Sequence, residues 1–217
     1  MSPVTAALEQ ARQHVRNGDS NAAVSVLTGL AQGGFTAVNA IALDAELNLL
    51  AGVPEYDALI TSMTAQAYPC EHDVKFREFD FWLGEWDVHL AGGALAGHNL
   101  VTSEQRGCFL QEEWTSVTGG TGSSINYLDE RNGEWVQIWN DTGGNQINIR
   151  GGLNDGSMVL KGSIHYVVND TTLPFRAQWT PLEDGRVRQF FEQSNDGGET
   201  WVTWFEGFYT RKAVAAE

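Results

Sequence analysis

The chain reads as α+β: an N-terminal pair of helical hairpins followed by an antiparallel up-and-down β-barrel of about ten strands. Three observations carry this reading. Apolar side chains recur at helical spacing up to about residue 67. Beyond residue 76 the pattern changes to period two. That second region is cut by turn signals every 8–15 residues, with no helical stretch between them. The expected domains are therefore a helical unit over 1–68, a linker over 69–75 and a barrel over 76–217.

In the first expected helix, residues 4–16, Val4, Leu8, Ala11 and Val15 share one face. Asp19 or Ser20 can cap a second helix with Ala22, Ala23, Val26, Leu27 and Leu30 as its apolar stripe. Gly33-Gly34 ends it. A third helix fits 36–51, with Val38, Ile41, Ala42, Ala45 and Leu49 inward, and Pro54 opens a fourth carrying Tyr56, Leu59, Ile60 and Met63. Gly18 and Gly52 stand 34 residues apart, each inside a hairpin. That period is similar to tetratricopeptide-type repeats, in which each helix pair needs a neighbour to cover its apolar face. Such hairpins can also serve a protein partner or self-association.

Pro69-Cys70-Glu71-His72-Asp73 reads as the linker. The expected strands are 82–90, 97–106, 108–117, 123–129, 134–141, 145–151, 157–166, 173–180, 186–194 and 201–210. Their connections are turn-forming, among them Gly92-Gly93, Gly119-Gly120, Asn132-Gly133, Gly143-Gly144, Asp155-Gly156 and Asp184-Gly185. A ten-strand meander exposes two long edges unless it closes, so a barrel is the expected end point.

Composition narrows the function classes. Eight Trp and ten Phe in 217 residues are many, and suit a filled or ligand-lined interior. The net charge is −15, and both parts are acidic: two Arg against six carboxylates up to residue 70, then eleven basic against twenty-two acidic groups. Without a basic patch, neither nucleic acid nor an anionic membrane surface is an expected partner. Two cysteines make no disulfide framework or C-x-x-C pair, and no apolar run approaches the ~20 residues of a membrane span. The expectation is a cytoplasmic protein with reduced thiols.

Gly84-x-Trp86 on the first strand, with Arg211 just after the last, resembles the lipocalin and calycin signature. Asp80-Phe81-Trp82-x-Gly84-x-Trp86, Trp135-x-Gln137-x-Trp139-x-Asp141, Val187-Arg188-Gln189 and Tyr209-x-Arg211 resemble more closely an uncharacterised bacterial lipocalin-like domain family. The likeness covers 76–212. It implies that Gly84, Trp86 and Arg211 plug one barrel end and that the interior suits a small, mainly apolar molecule. It implies no established reaction. A related ten-stranded barrel family binds haem through a single His, so His165 or His98 is the axial-ligand alternative; otherwise no cofactor is expected.

Strand alternation assigns the interior. Trp86 and Val88 point in, with Asp87 and His89 out. On the fifth strand Trp135, Gln137, Trp139 and Asp141 share the inner face, because an outer face rarely holds two Trp. The expected ligand contacts are Asn126, Gln137, Trp139, Gln189, Phe205 and Tyr209, an aromatic lining with a few amides. An interior smaller than about 300 Å³ argues against a drug-sized ligand.

Four ionisable residues are candidates for catalysis from an inward position: Glu112, Asp141, Arg176 and Glu192. A carboxylate among aromatic rings has its pKa raised by desolvation and can act as a general acid or base. The structural alternative is a buried, satisfied Glu–Arg pair that closes the barrel. The five histidines show no i, i+4 pairing and no metal-binding motif. Ser194-x-Asp196-x-Gly198-x-Thr200-Trp201 matches the Asp-box of sialidase propellers, but one copy reads as a hairpin device. The leading expectation is binding of a small apolar molecule. The alternatives are an isomerase, cyclase or hydrolase of a hydrophobic metabolite, and an adaptor acting through the helices.

Overall fold

The computed structural model describes residues 2–212; Met1 and 213–217, parts of the expected domains, lie outside the described residues. The chain divides into two compact units, 1–72 and 73–217.

In the first unit, helix α1 (Pro3–Arg16) starts where the Ser2 hydroxyl accepts from the Thr5 amide at 3.1 Å. Helix α2 (Ser20–Gln32) starts at Asp19, whose carboxylate accepts from the Ala22 amide. Their apolar stripes meet through Ala11, Ala23 and Leu27, all fully buried. The third helix expected over 36–51 is not continuous. It is a single turn, α3 (Asn39–Ala42), then a 3-10 turn over Leu47–Leu50. Asp44 explains the break: its side chain accepts from the amides of Glu46 and Leu47, both at 3.0 Å, competing with the helical pattern. The Arg12 guanidinium, 2.8 and 3.0 Å away, holds it there. The break turns the chain, so Leu47 and Leu50 are buried while Leu49, expected inward, is 75% exposed. Helix α4 (Pro54–Ala67) buries Tyr56 and Met63, and α5 (Pro69–His72) is one turn. Neither Cys70 nor Cys108 is a free thiol, unlike the reduced cysteines expected.

The second unit is a closed antiparallel barrel. Its strands are β1 (Gly84–Leu90), β2 (Leu95–Glu104), β3 (Phe109–Ser116), β4 (Thr121–Asp129), β5 (Glu134–Asp141), β6 (Gln146–Asn154), β7 (Ser157–Tyr166), β8 (Thr171–Pro181), β9 (Val187–Gln193) and β10 (Val202–Arg211). Each pairs with its sequence neighbours, and β1 pairs with β10 to close the ring. Every expected strand is present, with ends shifted by a few residues. Asp155 and Gly156 both take positive φ (46° and 76°), the two-residue turn whose twist suits a hairpin. The Asp-box is a hairpin clasp: Ser194 Oγ accepts from the Gly198 amide (2.8 Å), and Asp196 accepts from the Thr200 amide (2.8 Å) and hydroxyl (2.5 Å). The Ser194 hydroxyl also donates to Asp196 at 2.7 Å, and this bond first, then those from Thr200, hold the Asp196 carboxyl well below the usual range.

One end of the barrel is packed shut. A 3-10 turn over Asp80–Trp82 lays Phe79 and Trp82 across it, stacked at 5.1 Å. Trp135 and Trp179 meet Phe79 edge-on at 5.7 and 5.1 Å. Beside them Trp86 is buried, its indole N–H donating to the Trp82 carbonyl at 2.9 Å. Arg211 caps it, with its guanidinium 4.4 Å from the Trp86 ring centre and a 3.0 Å bond to the Leu83 carbonyl. Gly84 has φ +131°, and an added Cβ would stand 2.5 Å from Arg211 Nη1. We expect Gly84→Ala to displace Arg211 and cost about 1–3 kcal/mol, read as a lowered urea midpoint; an unchanged midpoint would show that this contact is dispensable.

Candidate functional site

The opposite end carries the turns between β3 and β4 and between β5 and β6, and opens into a cavity of about 260 Å³. The volume lies below the ~300 Å³ typical of drug-sized sites. Aromatic side chains form its wall: Trp114, Trp139, Phe191, Trp204 and Phe205. Glycines make room for three of them. A Cβ on Gly97 would meet the Trp114 ring at 2.6 Å, one on Gly122 the Trp139 ring at 2.3 Å, and one on Gly207 the Phe205 ring at 2.6 Å. Each large ring thus lies down over a bare stretch of backbone, and the lumen stays open.

Simple alternation from Phe205 and Tyr209 would put Trp204 on the outer face with Val202, Glu206 and Phe208. The pairing of β10 with β9 slips between Thr203 and Phe205, a β-bulge, so Trp204 and Phe205 both reach the cavity. Trp204 packs at 5.4 Å from Phe175, and its indole donates to the Tyr166 hydroxyl at 2.9 Å.

The floor is polar and buried. On β3, Glu112 is 4% exposed and lines the cavity. One of its oxygens accepts from Asn99 Nδ2 on β2 at 2.9 Å, the other from the Ser124 hydroxyl on β4 at 2.6 Å. Asn99 Nδ2 also donates to the Tyr209 hydroxyl (3.2 Å), which donates in turn to Gln189 Oε1. On the other side Gln137 Nε2 donates to Asn126 Oδ1 (2.9 Å), and Asn126 Nδ2 to Ser124 Oγ (2.8 Å). Desolvation pushes the Glu112 carboxyl from 4.5 up to about 7, against the two hydrogen bonds that favour its charge. The Tyr209 phenol is raised well above its usual value by burial, and next by the Glu112 charge.

Of the expected contact residues, Gln137, Trp139, Gln189, Phe205 and Tyr209 line the cavity. Asn126 does not; it is fully buried behind Ser124 and Gln137. Among the ionisable candidates, Glu112 is at the floor and Asp141 at the rim, where it accepts from the amide and side chain of Asn145, both at 2.9 Å. Arg176 and Glu192 are a correction. They face out, paired at 2.6 Å, because their neighbours Phe175, Ala177 and Phe191 take the inner face. Arg176 there covers the Trp201 ring at 4.3 Å. His98 and His165 are also on the outer wall, bonded to Asp87 (2.7 Å) and Thr172 (2.9 Å), and neither lines the cavity. Among the described residues no group of three metal-ligating side chains comes together, and no helix is long and apolar enough to cross a membrane. Asn99 and Ser124 were missed as floor residues, although Asn99 alternates with exposed His98 and Leu100, a pattern visible in β2.

No family model matches the chain, and no curated protein matches it.

The buried carboxyl has a consequence for stability. Its folded pKa lies above its unfolded one, so its contribution is fully present below pH ~4.5 and lost as pH rises through about 7. We expect wild type to lose stability relative to Glu112→Gln across that window, on the order of 3 kcal/mol, in urea melts from pH 4 to 8. Parallel curves would place Glu112 in a solvated setting.

Proposed function

We propose that this protein is a lipocalin-like barrel that binds a small, largely apolar molecule through its open end. The observation that carries the reading is the lining: five aromatic side chains stand over a floor of Glu112, Gln137, Gln189 and Tyr209. Apolar walls supply affinity by excluding water, and a few fixed polar groups orient the bound molecule. A volume of about 260 Å³ selects a ligand smaller than a typical drug. The Asp80-Phe81-Trp82-x-Gly84-x-Trp86 run supports the lipocalin-like assignment, since its residues occupy the closed end.

Glu112 favours a second reading, an isomerase or hydrolase acting on a hydrophobic metabolite. A carboxyl near pKa 7 at the base of an apolar cavity is suited to take up and return a proton. The two readings separate by mutation. A binder loses affinity on Trp139→Ala, whereas an enzyme loses turnover on Glu112→Gln with binding largely kept.

For the leading reading we expect compounds that quench the cavity tryptophans to bind at least about tenfold more weakly to Trp139→Ala, the loss of roughly 1.5–3 kcal/mol of buried contact. Gly122→Val, which drives a side chain into the Trp139 ring, should do the same without unfolding the barrel. Full affinity in both variants would remove the cavity as the site.

A further inference from the structure

The cavity has a one-sided electrostatic character. Among its lining residues Glu112 and Asp141 are acidic, and none is Lys, Arg or His. The faces of Trp and Phe rings also carry negative charge density. The whole chain adds a net charge of −15, a field that concentrates cations and repels anions. Resting on the apolar-binding reading above, we propose that the ligand is a small organic cation, an ammonium group on an apolar body. The ammonium is held between the Glu112 carboxylate and the aromatic wall of Trp114, Trp139, Trp204 and Phe205.

The chemistry fits each part. An anionic or strongly acidic ligand would meet two carboxyl groups and no counter-charge. Beside a neutral apolar ligand the Glu112 carboxylate would have no counter-charge and would take up a proton instead. An ammonium compensates that charge without having to fit a directional fork, and aromatic rings attract it more strongly when water is excluded. Glu112 is already oriented for this, since Asn99 and Ser124 fix both oxygens from flanking strands. Titratable groups around it are Tyr209 from β10, Glu113 beside it on β3 and Asp141 across the cavity on β5. None supplies a positive charge.

A matched pair of probes tests this: phenyltrimethylammonium, whose charge does not titrate, and its neutral isostere tert-butylbenzene. Binding of each to the full-length protein is followed by tryptophan fluorescence at pH 5.5 and pH 8. The expected result at pH 8 is a preference for the cation of at least about tenfold. It should shrink towards parity at pH 5.5, because protons then compete for Glu112, and likewise in Glu112→Gln at pH 8. The ratio is internal to each protein, and the wild-type pH dependence stands if the variant folds poorly. Equal or tighter binding of tert-butylbenzene overturns the cation proposal and leaves the apolar-binding reading intact. A cation preference that ignores both pH and Glu112→Gln overturns the role of Glu112. Binding of neither probe overturns both the proposal and the reading beneath it.

Discussion

The barrel closes along the β1–β10 ladder, and across that seam the guanidinium of Arg211 lies over the indole of Trp86. The two residues are direct partners across the β1–β10 pair, the last ladder the meander makes. Because side chains alternate, fixing Arg211 opposite Trp86 also fixes Tyr209 opposite Val88, facing in. Tyr209 then reaches Asn99, and through it Glu112. A slip of one residue in that ladder would turn the phenol out to solvent and leave the Glu112 network without its β10 member. Gly84 is the local condition for the contact, since a side chain there would occupy the space of the guanidinium.

From that closure follows a division of the aromatic residues between two ends. Trp82, Trp86, Trp135 and Trp179 fill one end, in edge and stacked contacts that leave each at most 2% exposed. Trp114, Trp139 and Trp204 stand at the other, where glycines or a bulge let them line a space instead of filling it. Between the two layers lies the polar floor. Such a floor costs free energy unless its members are paired. Most are, but the Asn99 carbonyl oxygen is buried with no hydrogen-bond partner among the described residues, a cost of about 1–3 kcal/mol. The floor is thus a layer that packing alone would not favour, which is why its function is sought in what it meets from the open end.

The barrel was legible in the sequence because two independent signals coincide in it. Period-two alternation marks the strands, and Gly, Asn and Asp mark nearly every turn. The inner face of β5 was legible because Trp135 and Trp139 could hardly both face solvent. Trp204 was not, since a bulge changes the count of residues between faces and leaves no mark in composition. Arg176 and Glu192 misled for a related reason: a cross-strand ion pair reads alike on either face, and only the burial of Phe175 and Phe191 decides. In the helical unit, periodicity ran through 36–51 although Asp44 diverts the backbone there, because the arginine that holds it lies 32 residues away. The open cavity itself was beyond the pattern. Its volume depends on where large rings lie relative to Gly97, Gly122 and Gly207, a matter of register and not of residue type.

We propose that one end of the barrel is structural and the other receives a small-molecule ligand. Carbon and indole N–H resonances of the same sample decide it in a single titration with phenyltrimethylammonium or tert-butylbenzene, whichever binds. The account predicts that the indoles of Trp114, Trp139 and Trp204 shift together with the Glu112 carboxyl carbon, while those of Trp82, Trp86 and Trp179 stay fixed. Shifts confined to the closed-end tryptophans, or a silent Glu112, would contradict it.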